Sequence, residues 1–172
     1  MVGEIRDKET AEIAIQAALT GHLMLSTLHT NNTAAAITRL VDMGVDDFLI
    51  SSSLLGVLAQ RLVRKLCPAC KKESKLPDDI VEEFDLDANH IVYEAAGCPK
   101  CNFTGFAGRQ AVGELLIMDD EVKMMLKNKM TDFEIREAMR NKGMKLIGEQ
   151  LMELLLAGET SLKEVIRVGH KD

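Results

Sequence analysis

The stretch GEIRDKETAEIAIQAALTGHLMLSTLHTNN, residues 3–32, decides the fold class that the sequence predicts. The charged cluster Glu4–Asp7 resembles the end of a buried strand rather than a frayed terminus. Apolar positions in Lys8–Leu19 suit a well-buried helix, and Gly21 suits its end. The short apolar run Leu23–Leu28 is typical of a strand buried on both faces. A helix followed by such a strand predicts part of a parallel α/β sheet.

Helices are predicted to follow this stretch. Asn31 to Thr33 offer N-cap chemistry for a helix that ends near Met43, where Gly44 can stop it. A second helix is predicted over Asp46–Lys65. Further along, the run QAVGELLIM, residues 110–118, favours a strand. We predict a mainly helical region after it.

The composition divides the chain into three predicted domains. It changes at Leu66, because the stretch Cys67–Gly108 holds all four cysteines and all three prolines. We therefore predict an α/β part over residues 1–66, an inserted cysteine module over 67–108 and a mainly helical subdomain over 109–172. The Thr131–Glu134 segment has the Ser/Thr-x-x-Glu form of a capping box in that last part.

The overall composition is that of a globular protein, with 47% hydrophobic and 28% charged residues. A net charge of -6 argues against a general nucleic-acid binder, which usually carries a basic stripe. The chain also offers few stacking platforms for single strands, because it has no Trp, one Tyr and five Phe. We expect no nucleic-acid partner.

The sequence shows no secretory signal, because charges of both signs occur in residues 1–10 and no long apolar region follows. The apolar stretch Phe48–Ala59 is too short and too rich in serine to span a bilayer, which takes about 20 apolar residues. We expect a cytoplasmic protein whose association with a membrane goes through a partner.

The four cysteines form two Cys-x-x-Cys pairs, Cys67/Cys70 and Cys98/Cys101. Each pair can form a tight knuckle, and two knuckles supply the four thiolates of a tetrahedral zinc site. A loop of 27 residues separates the knuckles, which is longer than is usual in a zinc ribbon. We therefore predict a structural Zn²⁺ that ties together the two ends of this long loop.

Other interpretations of the cysteines remain open. Two disulfides would need an oxidising compartment, and the four thiols could also be unrelated. A catalytic zinc is disfavoured because four protein ligands leave no open position for water. A redox Cys-x-x-Cys site is possible, although no thioredoxin-like unit surrounds it.

Polar clusters end both predicted strands of the opening stretch. Glu4 lies at the end of the first, and the run Ser26–Asn31 ends the second. In open α/β sheets ligands bind at the carboxyl ends of strands, so the two clusters would face one crevice. The alternatives without a ligand site are a surface ion-pair cluster at Glu4–Asp7 and a purely structural role for His22 and His29.

Taken together, residues 3–32 resemble the Walker B and histidine boxes of the secretion ATPase superfamily, which powers type II secretion and type IV pilus assembly. LAQRLVRKLCPAC, residues 58–70, and GCPKCNFTGFAGRQAVGELL, residues 97–116, resemble the continuation of that family, including its tetracysteine motif. The closing GETSLKEVIRV, residues 158–168, is similar to the family's C-terminal end. The resemblance implies a partial RecA-like parallel sheet with helices, an inserted tetracysteine zinc module and a helical C-terminal region.

The resemblance also implies roles for single residues. Gly3 and Glu4 match the end of the Walker B box, so Glu4 would orient or activate the attacking water. His29 would contact the γ-phosphate region, and Arg6 would link nucleotide state to conformation or bridge subunits. The remaining implied residues are Thr27, Thr30 and His22 near the nucleotide, and Cys67, Cys70, Cys98 and Cys101 as zinc ligands.

The family implies ATP and Mg²⁺ in the full-length protein, a homo-hexameric ring and an inner-membrane platform protein as partner. These 172 residues contain no Gly-Lys dipeptide and hence no G-x-x-x-x-G-K-[S/T] phosphate loop. We therefore expect the chain to be a C-terminal portion of a longer motor that is inactive alone. Two alternatives are a stand-alone zinc-stapled module that binds a secretion or pilus partner, and a zinc-ribbon nucleic-acid binder.

Overall fold

A computed structural model describes residues 1–169 as two units, each discontinuous in sequence. Unit 1 combines Met1–Ala59 with Glu114–Met144, and unit 2 combines Gln60–Gly113 with the chain from Lys145 onward. The predicted division of the chain into three continuous domains, with boundaries at residues 66 and 108, stays a prediction. In chain order the elements are α1 (Lys8–Leu19), α2 (Thr33–Asp42), α3 (Asp47–Ser53), β1 (Gly56–Leu66), β2 (Lys72–Lys75), α4 (Asp78–Glu83), β3 (Ile91–Glu94), β4 (Phe106–Ile117), α5 (Asp120–Lys127), α6 (Asp132–Asn141), α7 (Ile147–Leu156) and α8 (Leu162–Gly169).

Side-chain caps start most helices of unit 1. The Asp7 carboxylate accepts from the N–H of Thr10 ahead of α1, and the Asn32 side chain accepts from the N–H of Ala35 in α2, both at 2.8 Å. The side chains of Thr131 and Glu134 complete the predicted capping box of α6. These caps satisfy N–H groups that a helix leaves without partners, and they confirm the predicted starts of these helices.

The core of unit 1 gathers the apolar faces of its helices around the end of β4. Because α1, α2, α5 and α6 each carry an apolar stripe at helical spacing, burying these stripes together removes them from water. The fully buried members of this core include Ala11, Ala34, Ile37, Ile50, Val122 and Ile135.

The predicted strand at Leu23–Leu28 is not buried on both faces. Leu23 and Leu25 are 73% and 59% exposed, and no strand is assigned to the residues before α1 or between α1 and α2. The two segments are nevertheless joined, because Val2 donates its N–H to the Leu25 carbonyl and Ile5 donates to the Thr27 carbonyl, both at 3.0 Å. Within residues 1–169 the sheets are β1–β4 and β2–β3, each two-stranded, so the RecA-like parallel sheet is not confirmed.

The predicted helix over Asp46–Lys65 is wrong beyond Ser53. The helix α3 ends at Ser53, and β1 begins at Gly56. Exposure alternates along β1. Leu58, Gln60 and Leu62 are exposed to solvent, whereas the residues between them are partly buried. This period of two is that of a strand, and pairing with β4 supplies hydrogen bonds that no local helix pattern reveals.

Unit 2 contains the cysteines and the C-terminal helices. In it β2 and β3 pair in antiparallel register, with Lys72 opposite Glu94 and Lys75 opposite Ile91. The buried side chains of Leu76, Val92 and Leu155 join this hairpin to α7. The helices α5 to α8 confirm the predicted helical C-terminal region. Within the described residues, no helix combines the length and apolarity that a bilayer span requires.

Candidate functional site

Glu4 lies between Arg6 and His29, the two residues that the sequence placed beside it. The Nε atom of Arg6 donates to Glu4 Oε2 at 2.7 Å, and His29 Nε2 lies 2.7 Å from Glu4 Oε1. The Glu4 side chain is only 20% exposed, whereas those of Arg6 and His29 are largely open to solvent. The hydrogen bond from Arg6 lowers the pKa of Glu4 below its ordinary value, against a smaller opposing effect of burial.

Backbone contacts bring these three residues together. The Thr27 hydroxyl donates to the Gly3 carbonyl at 2.8 Å, next to the bond from Ile5 to the Thr27 carbonyl. These contacts hold the Gly3 and Thr27 segments side by side, so the residues that follow each segment meet. The Thr30 hydroxyl instead donates to the Asn32 carbonyl at 3.3 Å, at the start of α2.

A shallow pocket of about 210 Å³ opens beside Glu4. Its wall includes Arg39, which extends from the last turn of α2 and which the sequence analysis missed. A basic residue in the last turn of a helix is common because it complements the helix dipole, so no sequence signal marked Arg39. The other lining residues are Glu4, Ile5, Arg6, Leu28, His29 and Met43.

The arrangement of charges in this pocket suits phosphate chemistry. Two guanidiniums and an imidazole can donate hydrogen bonds to anionic oxygens, while an ionised carboxylate can accept one from water. His22 takes no part in the lining, because its Nδ1 lies 3.2 Å from the Thr20 hydroxyl at the end of α1.

Glu114 is a buried carboxylate that the sequence analysis did not single out. Its Oε1 accepts from both the N–H and the hydroxyl of Thr33, and its Oε2 lies 3.5 Å from a terminal nitrogen of Arg136. Glu114 and Thr33 are both fully buried. Because Thr33 begins α2 just after the His29 segment, Glu114 holds the start of that helix from inside unit 1.

The four predicted metal ligands converge in unit 2. The sulfur atoms of Cys67, Cys70, Cys98 and Cys101 all lie within 4.8 Å of one another. Cys101 Sγ is 3.8 Å from both Cys70 Sγ and Cys98 Sγ. A tetrahedron with metal–sulfur bonds of about 2.3 Å has sulfur–sulfur edges of about 3.8 Å, which this spacing fits. All four cysteines are free, so the disulfide alternative is not supported.

Backbone N–H groups favour a thiolate at one of these ligands. Burial opposes the ionisation of Cys101, but N–H groups of Cys98 and Gly105, each 3.2 Å from its sulfur, outweigh burial and lower its pKa to about 6. For Cys70, burial raises the pKa to about 12. A thiolate is the form that binds a metal, so the four residues could hold a metal ion.

Two glycines permit the tight backbone of this cluster. Gly97 and Gly105 have φ angles of +96° and +77°, a region that side chains rarely adopt. A Cβ atom on Gly97 would lie 2.7 Å from the Phe103 carbonyl oxygen, and one on Gly105 would lie 2.5 Å from the Ala95 Cβ. The second knuckle therefore closes only with glycine at both positions.

The family model described as type II/IV secretion system protein matches residues 1–167. The chain belongs to this family. It is 47% identical over 172 residues to type II secretion system protein E of Dickeya dadantii (strain 3937), a match that covers 100% of this chain and 34% of that relative. It is 49% identical over 170 residues to type II secretion system ATPase E of Vibrio cholerae, covering 98% of this chain and 34% of the relative.

Within the secretion family, the similarity extends to pilus motors. Over 170 residues the chain is 48% identical to the type IV pilus assembly ATPase PilB of Thermus thermophilus, covering 96% of this chain and 19% of PilB. The chain therefore spans 34% or less of the length of these three relatives.

Solved structures show that this family member shares its fold with known ATPases. The pilus retraction motor PilT with bound ADP superposes with a TM-score of 0.62 at 24% identity, covering 97% of this chain and 39% of PilT. The ATPase DotB of Legionella pneumophila gives the same TM-score and identity, covering 100% of this chain and 38% of DotB.

Proposed function

We propose that this chain is part of an ATPase that powers type II protein secretion or type IV pilus assembly by ATP hydrolysis. The observation that carries the proposal is the placement of Glu4 between Arg6 and His29 in a pocket with a second guanidinium. Relatives named as secretion and pilus-assembly ATPases support it. In this proposal residues 3–7 are the end of a Walker B strand and residues 22–31 are the histidine box.

Glu4 orients the attacking water. The bond from Arg6 lowers its pKa and favours a carboxylate, which can accept a hydrogen bond from water. Phosphoryl transfer depends mainly on positioning and on stabilising charge at the phosphate oxygens. His29 contacts the γ-phosphate region, and Arg6 links nucleotide state to conformation. Gly3, Thr27 and Thr30 shape the segments 3–7 and 22–31. His22 is the weaker candidate among the residues near the nucleotide.

The phosphate cradle for this reaction comes from outside these 172 residues. A phosphate loop needs backbone N–H groups, a Lys and a Ser/Thr in the G-x-x-x-x-G-K-[S/T] arrangement, which the sequence does not contain. In this proposal Mg²⁺ and ATP bind in a longer protein that supplies the cradle. We expect the 172-residue chain alone to show no ATP hydrolysis.

The cysteine cluster holds a structural Zn²⁺ in this proposal. Four thiolates fill the tetrahedral coordination that zinc prefers and leave no position for a reactive water. When bound, the metal ties the two knuckles together, so Cys67, Cys70, Cys98 and Cys101 stabilise unit 2 and take no part in hydrolysis.

The working form that we propose is a homo-hexameric ring at the cytoplasmic face of the inner membrane. It is held there by the platform protein and other components of the secretion or pilus machinery. In such a ring, the proposed second role of Arg6 is to bridge neighbouring subunits.

The test begins with the coding DNA upstream of the Met1 codon. If it encodes a phosphate loop in frame, the longer protein is purified and its Mg²⁺-dependent ATPase rate is compared with that of Glu4→Gln. We expect Glu4→Gln to lose about a hundredfold or more of the rate, because it removes the group that orients water. Glu12→Gln on the exposed side of α1 is the matched control and should retain the rate.

Two results would contradict the proposal. A Glu4→Gln protein that hydrolyses ATP at nearly the wild-type rate removes Glu4 from the mechanism. Glu4-dependent hydrolysis by the 172-residue chain itself would show that no outside phosphate cradle is needed.

A further inference from the structure

Unit 2 carries a shallow, open cavity of about 400 Å³ that is lined by three arginines. Its lining residues are Leu62, Arg64, Arg109 and Arg167, and no carboxylate is among them. Such a concentration of positive charge is unexpected in a chain with a net charge of -6. The ATP chemistry proposed above uses none of these residues, which belong to unit 2 whereas Glu4 and His29 belong to unit 1.

A buried carboxylate fixes two of the three guanidiniums. Glu164 is fully buried, and its Oε2 accepts from Arg64 Nε at 3.0 Å and Arg64 Nη2 at 2.7 Å. The same oxygen accepts from Arg167 Nε at 2.8 Å, and Arg167 Nη2 contacts the other oxygen. The Arg64 guanidinium also stacks over the Phe106 ring, 4.1 Å from its centroid. These contacts hold both side chains in place before any ligand arrives.

The third guanidinium has no such partner. Arg109 forms no ion pair with any carboxylate in the described residues 1–169, although it lines the same cavity as Arg64 and Arg167. The side chains of Arg64 and Arg167 are 45% and 48% exposed, so their outer N–H groups remain open to a ligand. Because Glu164 already fixes Arg64 and Arg167, these two side chains lose little conformational entropy when a ligand binds.

The charge balance favours a doubly charged ligand. Three guanidiniums carry +3 and Glu164 carries −1, which leaves +2 at the cavity. A phosphomonoester carries about −1.5 to −2 near pH 7 and offers three acceptor oxygens, which planar guanidinium forks bind well. A single carboxylate would neutralise only half of the charge. Leu62 adds an apolar wall.

We propose that the cavity lined by Arg64, Arg109 and Arg167 is a binding site for a phosphomonoester. Arg64 and Arg167 form the fixed part of the site, Glu164 positions them, and Arg109 closes on the ligand. The site goes beyond the proposed ATPase function and does not depend on it.

The test measures binding by the 172-residue chain itself. Inorganic phosphate and glycerol 3-phosphate are titrated at low ionic strength, and the Nε–H signals of the arginines are followed by NMR. We expect saturable shifts of the Arg64, Arg109 and Arg167 signals with both probes, and much weaker binding of acetate. Affinity should fall with added salt because the contacts are ionic.

Arg109→Gln removes one guanidinium without touching the Glu164 contacts. We expect it to weaken binding of both phosphate probes by about tenfold or more, while thermal unfolding stays that of wild type. Arg140→Gln, the same change on α6 of unit 1, is the control and should leave the affinity unchanged. The proposal is overturned if no saturable shift occurs at millimolar phosphate, or if Arg109→Gln binds as tightly as wild type.

Discussion

The carboxylate of Glu114 accepts hydrogen bonds from both the backbone N–H and the hydroxyl of Thr33, at 2.8 and 3.0 Å, across 81 residues of sequence. Thr33 starts α2, and His29 lies one short segment before it. A carboxylate at this position also complements the positive end of the helix dipole. Glu114 therefore fixes the start of α2 and, with it, the segment that brings His29 to Glu4.

Replacing this carboxylate should cost stability. We expect Glu114→Gln to lower the free energy of unfolding by about 2–4 kcal/mol, because a neutral amide cannot both accept from Thr33 and pair with the partly buried Arg136. Urea unfolding followed by circular dichroism measures the change. Glu137→Gln, on the exposed side of α6, should stay within about 0.5 kcal/mol of wild type.

The same variant should disturb the His29 segment. The imidazole NMR signals of His29 should move in folded Glu114→Gln and not in Glu137→Gln, because Glu114 accepts hydrogen bonds from Thr33 at the start of α2. Unchanged His29 signals in a destabilised Glu114→Gln would show that the two features are independent.

Acid should weaken unit 2 through Glu164. Burial opposes its ionisation, but hydrogen bonds from Arg167 and Arg64 prevail and lower its pKa to about 2, from an ordinary 4.5. Because the folded pKa is the lower one, ionised Glu164 stabilises the fold fully above about pH 4.5, and this contribution is lost as the pH falls toward 2.

Glu164→Gln should remove that part of the acid sensitivity. Its free energy of unfolding should be about 2–4 kcal/mol lower than wild type at neutral pH. The difference should shrink steadily below pH 4.5. Glu153→Gln, which changes an exposed carboxylate on α7, should follow the wild-type curve throughout. A constant difference between wild type and Glu164→Gln across this range would contradict the assigned pKa.

The cysteine cluster should bind one metal ion per chain. We expect metal analysis of protein purified without chelator to give one equivalent of zinc, and Co²⁺ substitution to give the intense visible absorption of tetrahedral thiolate coordination. Cys101→Ser should lose the metal and lower the melting temperature. A purified chain that binds no Zn²⁺ or Co²⁺ while all four thiols are reduced would refute the site.

Glycine at position 97 should be required for this metal site. Gly97→Ala brings a Cβ atom to 2.7 Å from a backbone oxygen at a φ of +96°. Gly108→Ala is the matched control, because its φ of +82° is equally unfavourable but no atom lies within 4 Å of the added Cβ. Both variants should lose about 1 kcal/mol from backbone strain, and Gly97→Ala should lose more and bind Zn²⁺ more weakly. Equal losses would show that the contact with Phe103 is unimportant.

Arg6 should control the ionisation of Glu4. Its hydrogen bond is the largest cause of the lowered pKa of Glu4, so Arg6→Gln should raise that pKa toward its ordinary value of 4.5. NMR titration of the Glu4 side-chain carboxyl carbon measures the shift. Lys8→Gln, which removes a cation on the neighbouring turn, should leave the titration of Glu4 nearly unchanged. An unaltered pKa in Arg6→Gln would mean that another group fixes the charge of Glu4.

Local signals predicted much of the fold and part of the site. The bounds of α1 match the prediction, because its apolar spacing and its end at Gly21 are encoded within one short segment. Glu4, Arg6 and His29 were expected in one crevice, and they meet, although the residues around them form no assigned strand. The helix predicted over Asp46–Lys65 failed because β1 is stabilised by pairing with β4, whose residues follow some fifty positions later.

The roles of the two buried carboxylates could not be predicted from the sequence. Glu114 and Glu164 look like ordinary charged residues, and only the fold shows that each is fully buried and accepts from a donor far away in the chain, Thr33 for Glu114 and Arg64 for Glu164. Only the fold likewise shows that Arg39 lines the Glu4 pocket and that Arg64, Arg109 and Arg167 line one cavity.

The sequence by itself determined the family, the starts of α1, α2 and α6, and the four cysteines that meet in one cluster. These features depend on short-range spacing, which sets which side chains share a helix face or a knuckle. Only the tertiary structure decided the strand at Gly56–Leu66, the anchoring of Thr33 by Glu114 and the arginine cavity above Glu164. Those depend on hydrogen bonds and ion pairs between residues far apart in the chain, which form only when packing excludes water from between them.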